Sequence, residues 1–395
     1  MSAIVKVHGM DGTLVEPDWP PLTLAEVRTL LARFPALGEP VEILFASPRP
    51  LSAAAVVSTS TGKVFIKRHH HTVRDREGLL EEHRFLAYLF NAGTQVPRVF
   101  ASVSGDTAIE MSEWTYEVHE TPNGVDLYEE AISWTPFRTA AHAHSAGQAL
   151  ARLHLAAQGF DVPRRKPQPL VASFTIFASR DPSLELSRYL AARPILASNA
   201  AVRVNCKQAL QLLAPFHARL LPLLRALPPL WTHNDLHASN LFWSDLSDSA
   251  EATAIIDFGL ADRTNAVHDL ANAIERNIVE WLVLVAHPAH PDDVPVHLDH
   301  LHALLDGYES VRPLSKEEAA ALAPMTALCH AEFALSEADY FLSVLHSQEK
   351  ASMAYDGWLA GHARWFRSAA GRSLLSAIER WAANRPNLSQ EVGMQ

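Results

Sequence analysis

Two cysteines, Cys206 and Cys329, are all that the 395 residues contain, and they stand far apart with no C-x-x-C. That leaves nothing for a disulfide framework and suits a reducing, cytoplasmic setting. Basic charge is also scarce. There are 33 Lys and Arg against 44 Asp and Glu, a formal charge of −11. Nucleic acid is therefore not an expected partner, because phosphate contacts along a strand need lysine and arginine in excess. Long apolar runs are missing as well. The longest, around Trp281 to Ala286, falls far short of the ~20 residues of a membrane span. Met1 to Asp11 has no charged region followed by an apolar one, so no secretory leader is expected.

Apolar residues are plentiful at 48%, ample for packed cores. The length exceeds the roughly 250–300 residues at which a single core stops growing, so two domains are expected. Strand-like segments cluster before about residue 120, and the remainder is Ala- and Leu-rich and helical. The expected class is α+β, with a small antiparallel-sheet lobe over residues 1–119 and a larger, mainly helical lobe over 120–395. Two Pro-rich passages, Asp161 to Leu170 and His287 to His297, read as loops between helical segments.

The chemistry concentrates in His233-Asn234-Asp235-Leu236-His237-Ala238-Ser239-Asn240 and in Ile255-Ile256-Asp257-Phe258-Gly259. Phosphoryl transfer needs a carboxylate beside the acceptor hydroxyl and oxygen ligands that hold Mg²⁺ on the phosphates. Asp235 and Asn240 stand five positions apart, the spacing of H-R-D-x-x-x-x-N, and Asp257 opens a D-F-G. Leu241 to Trp243 and Ala254 to Ile256 read as two short strands joined by a polar hairpin loop. That places Asn240 just before one strand and Asp257 just after its partner. Each of these residues alone is an ordinary turn residue; together they point to a site.

His-x-Asp-Leu-His-x-x-Asn resembles the form typical of the aminoglycoside phosphotransferase and choline kinase family, which homoserine, fructosamine and methylthioribose kinases also resemble. The resemblance implies a bilobal, protein-kinase-like fold and an ATP-dependent small-molecule kinase. It implies Asp235 as the catalytic base, Asn240 and Asp257 as metal ligands, and ATP with Mg²⁺ as cofactors. Val267-His268-Asp269-Leu270-Ala271 resembles the family's Asp-Leu-Ala, whose Asp anchors the catalytic loop; Asp269 also reads as a helix N-cap. His233 is expected to brace the loop rather than to move a proton.

A kinase also needs a lysine on a strand for the α and β phosphates and a helical glutamate to hold it. Val64-Phe65-Ile66-Lys67 resembles the V-A-I-K strand. Fifteen residues on, Glu82 lies in the segment 73–91, on the same helical stripe as Leu79, Leu86 and Leu89. A carboxylate on a buried helix face costs several kcal/mol without a cation, and Lys67 is the expected partner. Glu81 is the alternative from spacing alone; the distance to Val96-Pro97-Arg98-Val99, as the family places it, favours Glu82. By position, the carbonyl of Glu117 and the amide of His119 are expected at the hinge that pairs with adenine. The glycine-rich phosphate loop is absent, and Ser47 to Ala55 stands in its place, which argues against a protein kinase more than against a small-molecule one.

His69-His70-His71 follows the lysine strand and lacks the spacing that turns one face to an ion, so a solvated loop is expected. The acceptor is a small molecule with a hydroxyl group, received by helices after residue 270, where Glu275, Glu332, Glu337 and Asp339 are acidic. A metabolite (homoserine, a choline-like amino alcohol, a sugar) and an aminoglycoside both remain open. The alternative function is a nucleotide-binding pseudokinase or regulatory scaffold. Nothing in the sequence sets an oligomeric state.

Overall fold

The structure is a computed structural model that describes residues 7–8 and 13–385; the leader reading of Met1 to Asp11 falls for the most part outside the described residues. Five antiparallel strands form the main sheet: β1 (Pro40–Ala46), β2 (Ala53–Thr59), β3 (Gly62–His70), β4 (Ile109–Met111) and β5 (Trp114–Glu120). Their spatial order is β1-β2-β3-β5-β4. The period-2 alternation of a strand sorts the side chains of β3 and β5 onto two different faces. Val64 and Ile66 pair with the β5 stretch that carries Tyr116 and Val118, and all four join Val27 and Leu30 of helix α1 (Leu24–Leu31) in one apolar cluster. Each such buried side chain contributes ~1.5–3 kcal/mol. Lys67, His69, Glu117 and His119 alternate with that set, so the second face of the sheet is polar.

Helix α2 (Arg76–Asn91) covers this polar face. It begins later than the sequence suggests, because Asp75 caps it by accepting the Gly78 N–H at 2.7 Å. β3 in turn runs on through His69 and His70. The triplet is therefore not a solvated loop: His69 is buried, and His70 stacks on Trp19 with ring centroids 5.0 Å apart.

Beyond β5 the described residues are mainly helical, with two short antiparallel pairs: β6 (Pro229–Thr232) with β9 (Asp262–Asn265), and β7 (Leu241–Trp243) with β8 (Ala252–Ile255). The turn at Gly124 (φ +111) docks the segment after the sheet on β7, where Val125 and Trp243 exchange backbone hydrogen bonds of 2.8 and 2.9 Å. A Cβ there would stand 2.4 Å from the Trp243 carbonyl oxygen, so only glycine fits. Helix α3 (Ala140–Ala156) and helix α5 (Ala266–Ile278) frame the segment 233–240, with helix α4 (Ala200–Leu220) in the long insert between α3 and β6. Every residue of α5 is buried, so its polar residues must find partners within the protein. Among the described residues no helix is long and apolar enough to cross a membrane.

Candidate active site

The two signature segments converge through backbone geometry. Leu241 pairs with Ile255, and the Ile256 N–H donates to the Asn240 carbonyl at 2.9 Å, so Asn240 and Asp257 leave the same end of the β7–β8 hairpin. Asn234 and Asp257 both adopt positive φ (63 and 58), a conformation that non-glycine residues hold only when their surroundings over-determine it. Those surroundings are visible for Asn234. Asp269 accepts the His233 N–H at 2.8 Å and the Asn234 N–H at 2.7 Å, and His154 on α3 meets the same carboxylate at 2.9 Å. Burial opposes ionisation of Asp269, yet these donors hold its pKa below the ordinary value. The N-cap of α5 is Asn265, whose side chain accepts the His268 N–H; Asp269 is not the cap. His233 accepts the Asp235 N–H on Nδ1 at 3.1 Å and donates from Nε2 to the Ile256 carbonyl at 2.9 Å, which ties the loop to the strand before Asp257.

Asn240 spends its amide N–H groups on Asp235, 2.9 Å to the carbonyl and 3.3 Å to Oδ2. Its Oδ1 is left over, and with the Asp257 carboxylate it could supply hard oxygen donors of the kind Mg²⁺ takes. Lys67 Nζ lies 2.7 Å from Asp257 Oδ1. Burial would push Asp257 up, but the ammonium holds it below the usual carboxylate range. Asp235 goes the other way: burial, aided by Asp257, lifts its carboxyl to about 6 against the pull of Arg276.

Two expectations need correction. Lys67 turns to Asp257, and Glu82, which is buried, turns to Arg165, with Arg165 Nη1 3.9 Å from Glu82 Oε2 and Nε 3.6 Å from Glu81 Oε2. The Lys67–Glu82 pair is not formed. Arg165 comes from the Pro-rich loop and donates to the carbonyls of Gly78, Gly259 and Ala261, which fixes α2 against the segment after Asp257. The backbone of Glu117 and His119 is likewise not a free hinge. Val118 accepts the Phe100 N–H and Glu120 donates to the Arg98 carbonyl. Antiparallel alternation then aims the backbone groups of Glu117 and His119 at β3, inside the sheet.

Two cavities meet at this point. One runs under the sheet past Phe65, Glu120 and Pro122 to Phe258; the other is walled by Trp134, Arg276, Phe333 and Glu337. Both are lined by Arg49, Lys67, Asn240 and Asp257, and Asp235 faces the second. Beside this geometry, residues 51–314, two thirds of the chain, match the model of the phosphotransferase enzyme family. The chain belongs to that family.

The fold of this phosphotransferase is that of the solved small-molecule kinases. A microcompartment-associated aminopropanol kinase aligns with a TM-score of 0.55 at 17% identity, over 91% of this chain and 100% of that one. An aminoglycoside phosphotransferase from Alicyclobacillus acidocaldarius aligns at 0.51 and 14%, over 93% and 98%. An amicoumacin kinase in complex with AMP-PNP and Ca²⁺ aligns at 0.51 and 15%, over 92% and 96%. No curated protein sequence matches the chain.

Two residues of the site, Arg49 and Arg276, carried no mark in the sequence, and a third, Glu337, was one of four acidic candidates there. Arg49, from the segment that replaces the glycine loop, donates from Nη2 to Ser239 Oγ at 2.7 Å and to the Ala131 carbonyl at 3.0 Å, while its Nη1 is buried without a partner. Arg276 lies 3.1 Å from Asp235 Oδ1 with its guanidinium 3.9 Å from the Trp134 ring centroid and 4.2 Å from that of Phe333. Glu337, 1% exposed, is lifted to about 8 by burial and is uncharged at neutral pH. The available signal was an arginine in the last turn of a helix with no solvent-facing side. The other acidic candidates are taken: Glu275 pairs with His362 at 3.0 Å, Glu332 caps the Thr175 and Ile176 amides, and Asp339 lies 3.5 Å from Arg193.

Proposed function

We propose that the protein transfers the γ-phosphoryl group of ATP to a hydroxyl of a small molecule. The observation that carries this reading is the meeting of the two cavities at Arg49, Lys67, Asn240 and Asp257 with Asp235 beside them. Adenine would lie under the sheet against the backbone that follows β5, at Glu120 to Pro122. Lys67 holds the α and β phosphates once its bond to Asp257 is shared with them, and Glu82 supports it through the field of its buried charge. Asn240 Oδ1 and Asp257 would hold Mg²⁺, which would supply positive charge to offset that of the phosphates. The acceptor occupies the second cavity, against the wall that Trp134, Phe333 and Glu337 form, and its hydroxyl proton passes to the Asp235 carboxylate as the oxygen attacks phosphorus in line with the leaving ADP.

Arg276 keeps Asp235 oriented and ionised at neutral pH. Arg49, which lines both cavities, brings positive charge to where the transferring group gains negative charge. In this reading the lobes join at the segment after β5, and the protein acts in the cytoplasm. The test is ADP release with Mg²⁺ against a panel of hydroxyl acceptors: amino alcohols, homoserine, sugars, nucleosides and aminoglycosides. Acceptor-dependent turnover that Asp235→Ala abolishes is the expected result. Tight ATP binding with no acceptor turned over would favour the regulatory scaffold instead.

A further inference from the structure

The polar face of the sheet holds an arrangement that phosphoryl transfer does not use. Glu117, 1% exposed, pairs across strands with Lys67, and three imidazole nitrogens converge on its carboxylate. His69 Nε2 lies 2.9 Å from Oε1, His83 Nε2 lies 2.9 Å from Oε2, and His119 Nε2 lies 2.8 Å from Oε2. The four side chains are buried and come from three elements: His69 from β3, His83 from α2, Glu117 and His119 from β5. Ligand atoms of His83, Glu117 and His119 lie within 4.8 Å of one another. Thr107 Oγ1 stands 2.9 Å from His83 Nδ1, so the outer nitrogen of that ring is held by a second partner, as it is in metal-binding imidazoles.

We propose that His83, Glu117 and His119 form a binding site for a divalent ion of the zinc class, separate from the oxygens of Asn240 and Asp257. The donor set decides the class. Two imidazoles with one carboxylate suit zinc and its neighbours, whereas Mg²⁺ and Ca²⁺ take oxygen. All three ligands are buried between α2 and the sheet, so the ion is structural rather than catalytic. His69 stays on the other carboxylate oxygen, Oε1, and orients it. The ion would staple α2 to β5 directly behind Lys67, and so hold the helix that carries Glu82 against the sheet. The proton count closes without loss: the neutral rings of His83 and His119 move their protons from Nε2 to Nδ1, where Thr107 Oγ1 accepts that of His83. The competing arrangement keeps the Nε2 protons and lets all three rings donate to Glu117. A buried carboxylate needs donors, but hydroxyl or amide groups would serve it equally. Two imidazoles aimed through the same atom at one carboxylate oxygen from two elements select for a metal.

The site is independent of the phosphotransferase reading, because metal content is read without turnover. Full-length protein stripped with a chelator is titrated with Zn²⁺, passed through a desalting column and assayed for bound metal and Tm; Co²⁺ is then tried in its place. One equivalent of retained zinc, a rise in Tm, and the visible absorption of tetrahedral Co²⁺ are expected. The double variant His83→Gln/His119→Gln, with an unchanged near-UV spectrum, loses the equivalent and the Tm response. His300→Gln, in the partly exposed group His297, Asp299 and His300, keeps both. Substoichiometric zinc in the wild type, zinc retained by the double variant, or zinc lost in His300→Gln would overturn the proposal. Should the double variant fail to fold, the Co²⁺ spectrum of the wild type decides alone, and absence of tetrahedral bands rejects the site.

Discussion

Replacing Asp235, the proposed base, should stabilise the protein while abolishing turnover. Asp235 is a buried carboxyl lifted to about 6, against about 3.9 in an unfolded chain. A group whose pKa is higher in the folded state contributes stability at low pH and loses it as pH rises through the folded value. For Asp235 that window runs from about 4 to about 6. At pH 7 the shift of ~2 units amounts to about 3 kcal/mol, the cost of keeping the carboxylate ionised in the site. The Arg276 guanidinium at 3.1 Å is already included, because it opposes the upward shift. Asp235→Asn presents a neutral group of the same shape. Urea unfolding at pH 7 should therefore show the variant more stable by about 3 kcal/mol, with the difference vanishing toward pH 4, while kcat falls by ~10²–10⁴. An Asn variant less stable than wild type at pH 7 would refute the reasoning, since Arg276 would then stabilise the ionised carboxylate beyond the cost of burial. The same carboxyl sets the acid limb of activity: kcat/KM should fall as pH drops below about 6.

Arg49→Ala should lower kcat by ~10²-fold, the usual effect of deleting one donor to developing charge, with the nucleotide Kd nearly unchanged; steady-state rates beside fluorescence binding would check it. Glu337 titrates near 8 in the folded state, so wild-type stability should decline relative to Glu337→Gln between about pH 4 and 8 and level off above, by ~1.4 kcal/mol per unit. Parallel urea titrations across that range read the slope, and parallel curves would reject it. Arg165→Met should cost about 3–5 kcal/mol at neutral pH, because it strips a buried carboxylate of its paired cation and removes one donor from each of three carbonyls. A loss under 1 kcal/mol in equilibrium unfolding would show that Glu82 does not depend on Arg165.

The parts that could be read from sequence are those whose geometry is local. Asn240 and Asp257 were placed together because a hairpin with two apolar arms fixes both ends, and the register of Leu241 with Ile255 does so. Glu82 was readable as buried from its stripe on α2, but its partner was not. Arg165 enters from a Pro-rich loop distant in sequence, and only the folded chain brings its guanidinium to the helix. The hinge was misplaced for a different reason. Backbone contacts leave no trace in side-chain identity, and β5 continues as far as Glu120 because residues 98–100 pair along its second edge. His69 was assigned to a loop since three polar residues in a row break the apolar pattern of a strand, yet the partner across that strand is a buried glutamate rather than solvent. Arg49 belongs to no motif, and only the folded chain brings its guanidinium to Ser239 and the Ala131 carbonyl.

The most direct test of the central claim is ³¹P NMR of the protein with ATP, Mg²⁺ and an acceptor drawn from the panel, followed beside Asp235→Ala. The account predicts equal growth of ADP and of a phosphate monoester on the acceptor, with neither formed by the variant. ADP accumulating with inorganic phosphate alone, no consumption of ATP with any acceptor, or ester formation undiminished in Asp235→Ala would contradict it.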